Sequence, residues 1–151
     1  MSLEIKINDD IKQAMLAKDR KKLEALRAIK AGLLLEKTGK DVSSGEIPES
    51  VELKLLQKLV KQRKESAAIY REKGRIDMAE DEEYQAGIIE HYLPEQMSKD
   101  EIINIVQSII DETGASSMKD MGRVMGMSSK KLAGKADNKL ISEIVKQKLS
   151  S

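Results

Sequence analysis

Leu3, Ile7, Ile11 and Met15 recur every four residues, the spacing of one face of a helix. Asn8 could cap part of that run. Asp19 offers a cap for a second helix, with apolar positions Leu23, Leu26, Ala28, Ile29, Leu33 and Leu34, ending at Thr38-Gly39-Lys40. Residues 38–50 gather Gly39, Asp41, Ser43, Ser44, Gly45 and Pro48 and read as the main internal loop, the most mobile segment expected. Val51, Leu55, Leu56, Leu59 and Val60 begin a long helix to about Lys73, with Gly74 as its stop. Asp77 is the expected cap of the next helix, whose first turns carry Glu80, Asp81, Glu82 and Glu83, where acid meets the positive end of the helix dipole. Ile88, Ile89 and Tyr92 are its inward positions, and Pro94 closes it.

Beyond Pro94 the pattern restarts. Ser98 and Glu101 read as a capping box for a helix carrying Ile102, Ile105, Val106, Ile109 and Ile110, stopped by Gly114. Ser117 caps a short helix through Met118, Met121, Val124 and Met125. Asp137 caps a last one with Leu140, Ile141, Ile144, Val145 and Leu149 facing inward. No stretch alternates with the period of a strand, and none repeats at a solenoid period. The expected fold is all-α, with an N-terminal helical domain over residues 1–93 and a small C-terminal three-helix domain over residues 94–151.

Composition narrows the chemistry. Phe, Trp and Cys are absent and only three Tyr are present, so the core must be aliphatic and methionine-filled. Without cysteine there is no disulfide, thiolate metal site or thiol nucleophile. The lone His91 stands at a helix end, where positive charge is favoured, and is no basis for a zinc site. Glu80, Asp81, Glu82, Glu83 and Glu90 could hold a divalent ion only weakly, and their place at a helix start accounts for most of them. No H-E-x-x-H, P-loop, G-x-G-x-x-G or G-x-S-x-G motif is present. No catalytic residue, metal or cofactor is therefore expected. No apolar run reaches the roughly 20 residues of a membrane span and no signal peptide precedes the first helix. The expectation is a cytoplasmic protein with no membrane partner.

Net charge is +1, which predicts no general affinity for nucleic acid and no DNA partner. Residues 117–151 depart from that balance. Eight cations (Lys119, Arg123, Lys130, Lys131, Lys135, Lys139, Lys146 and Lys148) face three anions (Asp120, Asp137 and Glu143), a local charge of +5. The first six are the candidate RNA-binding residues, with Lys130, Lys131 and Lys135 placed in the connector before the last helix. Each phosphate they neutralise would release counterions. With no aromatic residue in this tail for base stacking, contact would be to backbone and shape. From charge alone, a solvated lysine-rich surface is the plainer reading. Gly122 and Gly126 share one helical face, with Gly134 further on. Their bare backbone would allow close approach of RNA or a partner, but close helix–helix packing is the favoured explanation of the pair. Lys54, Lys58 and Lys61 could extend a phosphate track, although Glu52, Glu65 and Glu72 make that helix read as mixed surface.

The segments GRVMG (122–126), GKAD (134–137) and KLISEIVKQKL (139–149) resemble the tail domain of the B subunit of tRNA-dependent amidotransferase. Ile11–Leu33, Lys61–Arg75 and Tyr92–Ser98 are similar to segments of the small stand-alone bacterial YqeY proteins, which share that tail. The resemblance implies tRNA as a possible partner, with an aminoacyl-tRNA synthetase or an amidotransferase subunit as possible protein partners. It also links the chain to glutamine-dependent carbon–nitrogen ligases. That reaction needs a glutamine-hydrolysing centre and an ATP-using centre, and neither is visible here, so the expected role is accessory. A helical protein–protein adaptor, with apolar surface near Met125 and Met127, is the alternative. Asn138 stands where the family pattern usually has glycine, and asparagine tolerates unusual backbone angles. Arg63, Ser66, Tyr70 and Arg75, in the most YqeY-like segment, are expected as a structural polar cluster where the two halves meet.

Overall fold

Helix α1 spans Leu3–Leu16, and its cap is Ser2, whose hydroxyl accepts the Ile5 amide at 3.4 Å. Asn8 lies inside this helix rather than at its start, because Ile7 is fully buried and needs the preceding turn to be helical. The computed structural model describes residues 2–39 and 47–150, so most of the loop expected over 38–50 falls outside the described residues. Helix α2, Arg20–Gly39, starts where Asp19 accepts the Lys22 amide at 3.2 Å. It ends at Gly39, inside the expected stop at Thr38-Gly39-Lys40, with the Thr38 hydroxyl donating back to the Leu34 carbonyl at 3.0 Å. Ala25, Leu26, Ile29 and Leu33 form its buried stripe. Leu34, expected inward, is 61% exposed, since one residue along a helix turns about 100° and Leu33 takes the core side.

Helix α3, Glu49–Glu72, ends before Gly74, whose φ of +75° supplies the left-handed turn that the sequence asked of it. Helix α4 is Ile76–Glu90. Arg75 occupies its cap position; Asp77, expected there, sits in the first turn, where its charge still meets the dipole. Gly32 has a packing role: a Cβ there would stand 2.7 Å from a methyl of Leu55.

Contacts divide the chain into two units, residues 1–93 and 94–151. Ile7, Leu26, Ile29, Leu56 and Ile89 are fully buried in the core of the first. Polar links tie its helices together. Arg63 Nε donates to Gln85 Oε1 at 3.1 Å, and Gln85 Nε2 donates to Glu24 Oε2 at 3.3 Å, which joins α3, α4 and α2. Arg63 thus belongs to a relay inside this unit, while Ser66 and Tyr70 are half-buried on α3 and Arg75 is exposed. The half-buried Tyr92 donates its hydroxyl to the Asp10 carboxylate, and the Lys6 ammonium lies 5.4 Å from its ring centroid. Burial, then Asp10, pushes the Tyr92 hydroxyl pKa well above its usual value.

The second unit comprises α5 (Lys99–Thr113), a 3-10 turn (Met118–Asp120), α6 (Met121–Lys131) and α7 (Asn138–Ser150). Ser98 accepts the Glu101 amide at 3.2 Å, but the Glu101 carboxylate meets the Ser98 hydroxyl instead of closing the expected box. Gly114, φ +70°, stops α5. The reciprocal box is at Ser117 and Asp120. Ile102, Val106, Ile109, Val124, Leu132, Ile141, Ile144, Val145 and Leu149 form the core. Ser128 is the one buried polar residue in it, and its hydroxyl has no hydrogen-bond partner among the described residues. An unsatisfied buried hydroxyl costs about 1–3 kcal/mol. Ser128→Ala should therefore raise the second unit's stability by about 1 kcal/mol in chemical denaturation; a loss would mean that the hydroxyl makes a bond after all.

Candidate nucleic-acid interface

The cations that the sequence singles out sit on three different elements and on the connector between α6 and α7. Lys119 is exposed in the 3-10 turn, and Arg123 is exposed in the first turns of α6. Lys130 and Lys131 form the last turn of α6 rather than the connector, which begins only at Leu132. This happens because α6 continues through the buried Val124 and Ser128, one turn past the last apolar position read from the sequence. Both lysines are exposed, and positive charge at that helix end is favoured in its own right. Lys135 is half-buried in the connector, and its carbonyl accepts the Met97 amide at 2.9 Å. Lys139 is exposed in the first turn of α7.

Arg123 is engaged. Its Nη2 donates to the Thr113 carbonyl at 3.4 Å, at the end of α5, and pairs with Asp120 at 3.4 Å. It fastens α5 to the 3-10 turn and is the candidate least available to a phosphate. The Asp120 carboxylate also accepts the amides of Ser116, at 3.0 Å, and Ser117, at 3.4 Å. These bonds, led by Ser116, hold its pKa below the ordinary carboxylate value. A lowered folded pKa means that the contribution is fully present above the unfolded value and is lost as pH falls through the folded one. Asp120→Asn should flatten the acid limb of the second unit's pH–stability curve, followed by circular-dichroism melts. An unchanged acid limb would remove Asp120 from the account.

The glycines give the clearest correction. Gly122 and Gly126 are both exposed, and no atom lies within 4 Å of where a Cβ would stand on either. The favoured packing explanation finds no support within the second unit, where no described residue covers this side of α6. Gly134 differs: it is buried, has φ +75°, and its carbonyl accepts Gln96 Nε2 at 2.7 Å. It shapes the turn between α6 and α7 and is not open backbone. Gln96 and Met97 together pin that turn to the segment after Pro94, a role the sequence reading had not assigned. Asn138 opens α7 with an ordinary backbone, Lys18 being the sole non-glycine residue at positive φ among those described. Asp137 caps α7 by accepting the Lys139 amide at 3.1 Å.

Helical spacing then aligns Lys119, Gly122, Gly126 and Lys130 as one exposed stripe, with Met127 beside it at 39% exposure. Met125 packs against the core, as its place in the apolar series of this helix implies, so the apolar surface of the adaptor alternative is not found there. Glycine within a helix costs roughly 0.5–1 kcal/mol relative to alanine. Gly122→Ala and Gly126→Ala should each raise the melting free energy by about that amount, since nothing obstructs the added methyl. Destabilisation by either would show a contact on this face.

Elsewhere three of the acidic residues on α4 are held in ion pairs. Asp81 meets Lys21 at 2.6 Å, Glu83 meets Arg71, and Glu90 meets Lys64 at 2.8 Å. Among the described residues no group of three or more His, Asp or Glu side chains is placed to hold a metal. Lys54, Lys58 and Lys61 are exposed on α3. No described helix is long and apolar enough to cross a membrane.

These features define an all-helical protein of two units, with a basic, glycine-bearing helix face in the second. The chain belongs to the Yqey-like protein family, whose profile matches residues 4–149. It is also similar to "Altered inheritance of mitochondria protein 41, mitochondrial" from Pyrenophora tritici-repentis (strain Pt-1C-BFP), at 28% identity over 148 residues, covering 94% of this chain and 78% of that protein.

Proposed function

We propose that the chain is a non-catalytic, tRNA-associated accessory protein whose second unit meets the RNA backbone with the outer face of α6. The observation that carries this reading is the pair Gly122 and Gly126, exposed within a helix and uncovered, between Lys119 and Lys130. Two helix-weakening residues with no neighbour among the described residues of their own unit to benefit are accounted for by something that approaches from outside. Cations on the same stripe suit phosphate, and the absence of aromatic residues after Tyr92 suits recognition of shape and 2′-hydroxyls over stacked bases. The likeness of GRVMG and GKAD to the amidotransferase tail supports tRNA as the RNA. A cytoplasmic setting belongs to this reading.

The test is binding of the full chain to total tRNA across a salt series, beside a duplex RNA of equal charge. Affinity that falls steeply with salt and prefers folded tRNA is the expected result. Absence of binding at low salt would overturn the reading. Release of ammonia from glutamine, tracking the purified protein, would overturn its non-catalytic part.

The exposed Met118 and Met127 favour a second reading, an adaptor for a synthetase, an amidotransferase subunit or another protein. A salt-insensitive protein complex would select it.

A further inference from the structure

Lys64 and Arg71 on α3 and Glu83 and Glu90 on α4 border a surface groove of about 420 Å³, also lined by small residues that include Ala68 and Gly87. One rim is basic and the other acidic. Lys64 reaches Glu90 at 2.8 Å and Arg71 reaches Glu83, all four side chains remaining between 38% and 62% exposed. Gly87 lies inside α4, and no atom stands within 4 Å of where its Cβ would be. It weakens the helix, as any interior glycine does, with no neighbour among the described residues of its unit gaining from it.

We propose that this groove is a self-association surface, occupied by the α3–α4 hairpin of a second copy of the chain, about a two-fold axis running along the groove. Charge selects both the occupant and the axis. Rotation about the groove direction lays the second copy's α3 over this chain's α4, so each basic rim meets an acidic one: the partner's Lys64 faces Glu90 and the partner's Arg71 faces Glu83. Rotation about an axis across the groove would set basic on basic and acidic on acidic, and electrostatics rejects it. The selected arrangement is isologous, so one complementary patch satisfies both copies. The short side chains of these small residues permit close approach of the facing helices. An occupant of a single charge sign matches only one rim. The surface is in the first unit and does not depend on the RNA reading.

Sedimentation equilibrium of the full chain over a concentration series is the first experiment, with a monomer–dimer equilibrium expected. Gly87→Leu fills the groove at a helical position where leucine is the better helix former. The variant should stay folded, or melt higher, while self-association weakens by roughly tenfold or more. The fourfold exchange of Lys64→Glu, Arg71→Glu, Glu83→Lys and Glu90→Lys keeps the pairs within each chain and the match between identical chains. It should dimerise as the wild type does, read by native mass spectrometry, whereas Lys64→Glu with Arg71→Glu alone, which makes both rims acidic, should not. A wild-type chain that is monomeric at every concentration overturns the proposal. So does a folded Gly87→Leu variant that dimerises as tightly as the wild type, or a folded Lys64→Glu, Arg71→Glu double variant that does.

Discussion

Leu132→Ala is expected to lower the stability of the second unit by about 3 kcal/mol while leaving the unfolding of the first in place. Leu132 is fully buried at the end of α6, where its amide bonds the Ser128 carbonyl at 2.9 Å and its side chain joins the core formed by Val124, Ile141 and Val145. Removing three carbons there loses the transfer energy and leaves a cavity in a unit of 58 residues with few other large groups to fill it. The two units can be read separately. Tyr70, Tyr84 and Tyr92 all lie in the first, so tyrosine fluorescence reports it alone, while far-ultraviolet circular dichroism reports helices in both. The variant should give an early dichroism transition with the fluorescence midpoint unmoved. A common shift of both signals would show that the units unfold together.

Reversal of Lys119, Lys130 and Lys131 to Glu is expected to weaken tRNA binding by more than about 100-fold, at about 1 kcal/mol or more per phosphate contact. All three side chains are exposed, and none lies in a core position, so the unit should keep its fold. The logarithmic salt slope should also fall by about two, one for each of the stripe lysines Lys119 and Lys130, since Lys131 lies about 100° further round the helix. Reversal of Arg123 is a poorer probe, because it would break the tie to Thr113 and Asp120 as well. If the triple variant binds tRNA as the wild type does, this patch is not the contact.

Much of the fold is legible from periodicity and caps. Ile102, Val106 and Ile109 fall on one face by spacing and are buried as read. Asp19, Ser98 and Asp137 cap the helices they precede. The misreadings arise where local signals compete and tertiary burial decides. Asn8 is as good a cap as Ser2 in isolation, and only the burial of Ile7 settles the start of α1. Leu33 and Leu34 are alike locally, and packing against the core takes one of them. The site was harder to read. Paired glycines look the same in sequence whether a neighbouring helix covers them or not, and Gly32, which does meet Leu55, carries no marker that sets it apart from Gly122. Ion pairs such as Lys21 with Asp81 join residues far apart in the chain and leave no periodic trace, so the acidic run on α4 looked like helix-start charge alone.

The most direct test follows the backbone amides of Gly122 and Gly126 by nuclear magnetic resonance as tRNA is added to the labelled full chain. Both glycines lie on the face proposed to meet RNA, and glycine amides are readily separated from the rest. Their signals, with those of Lys119 and Lys130, should shift or broaden first and recover at high salt. Signals that stay unmoved while tRNA binds elsewhere on the chain would contradict the proposed contact.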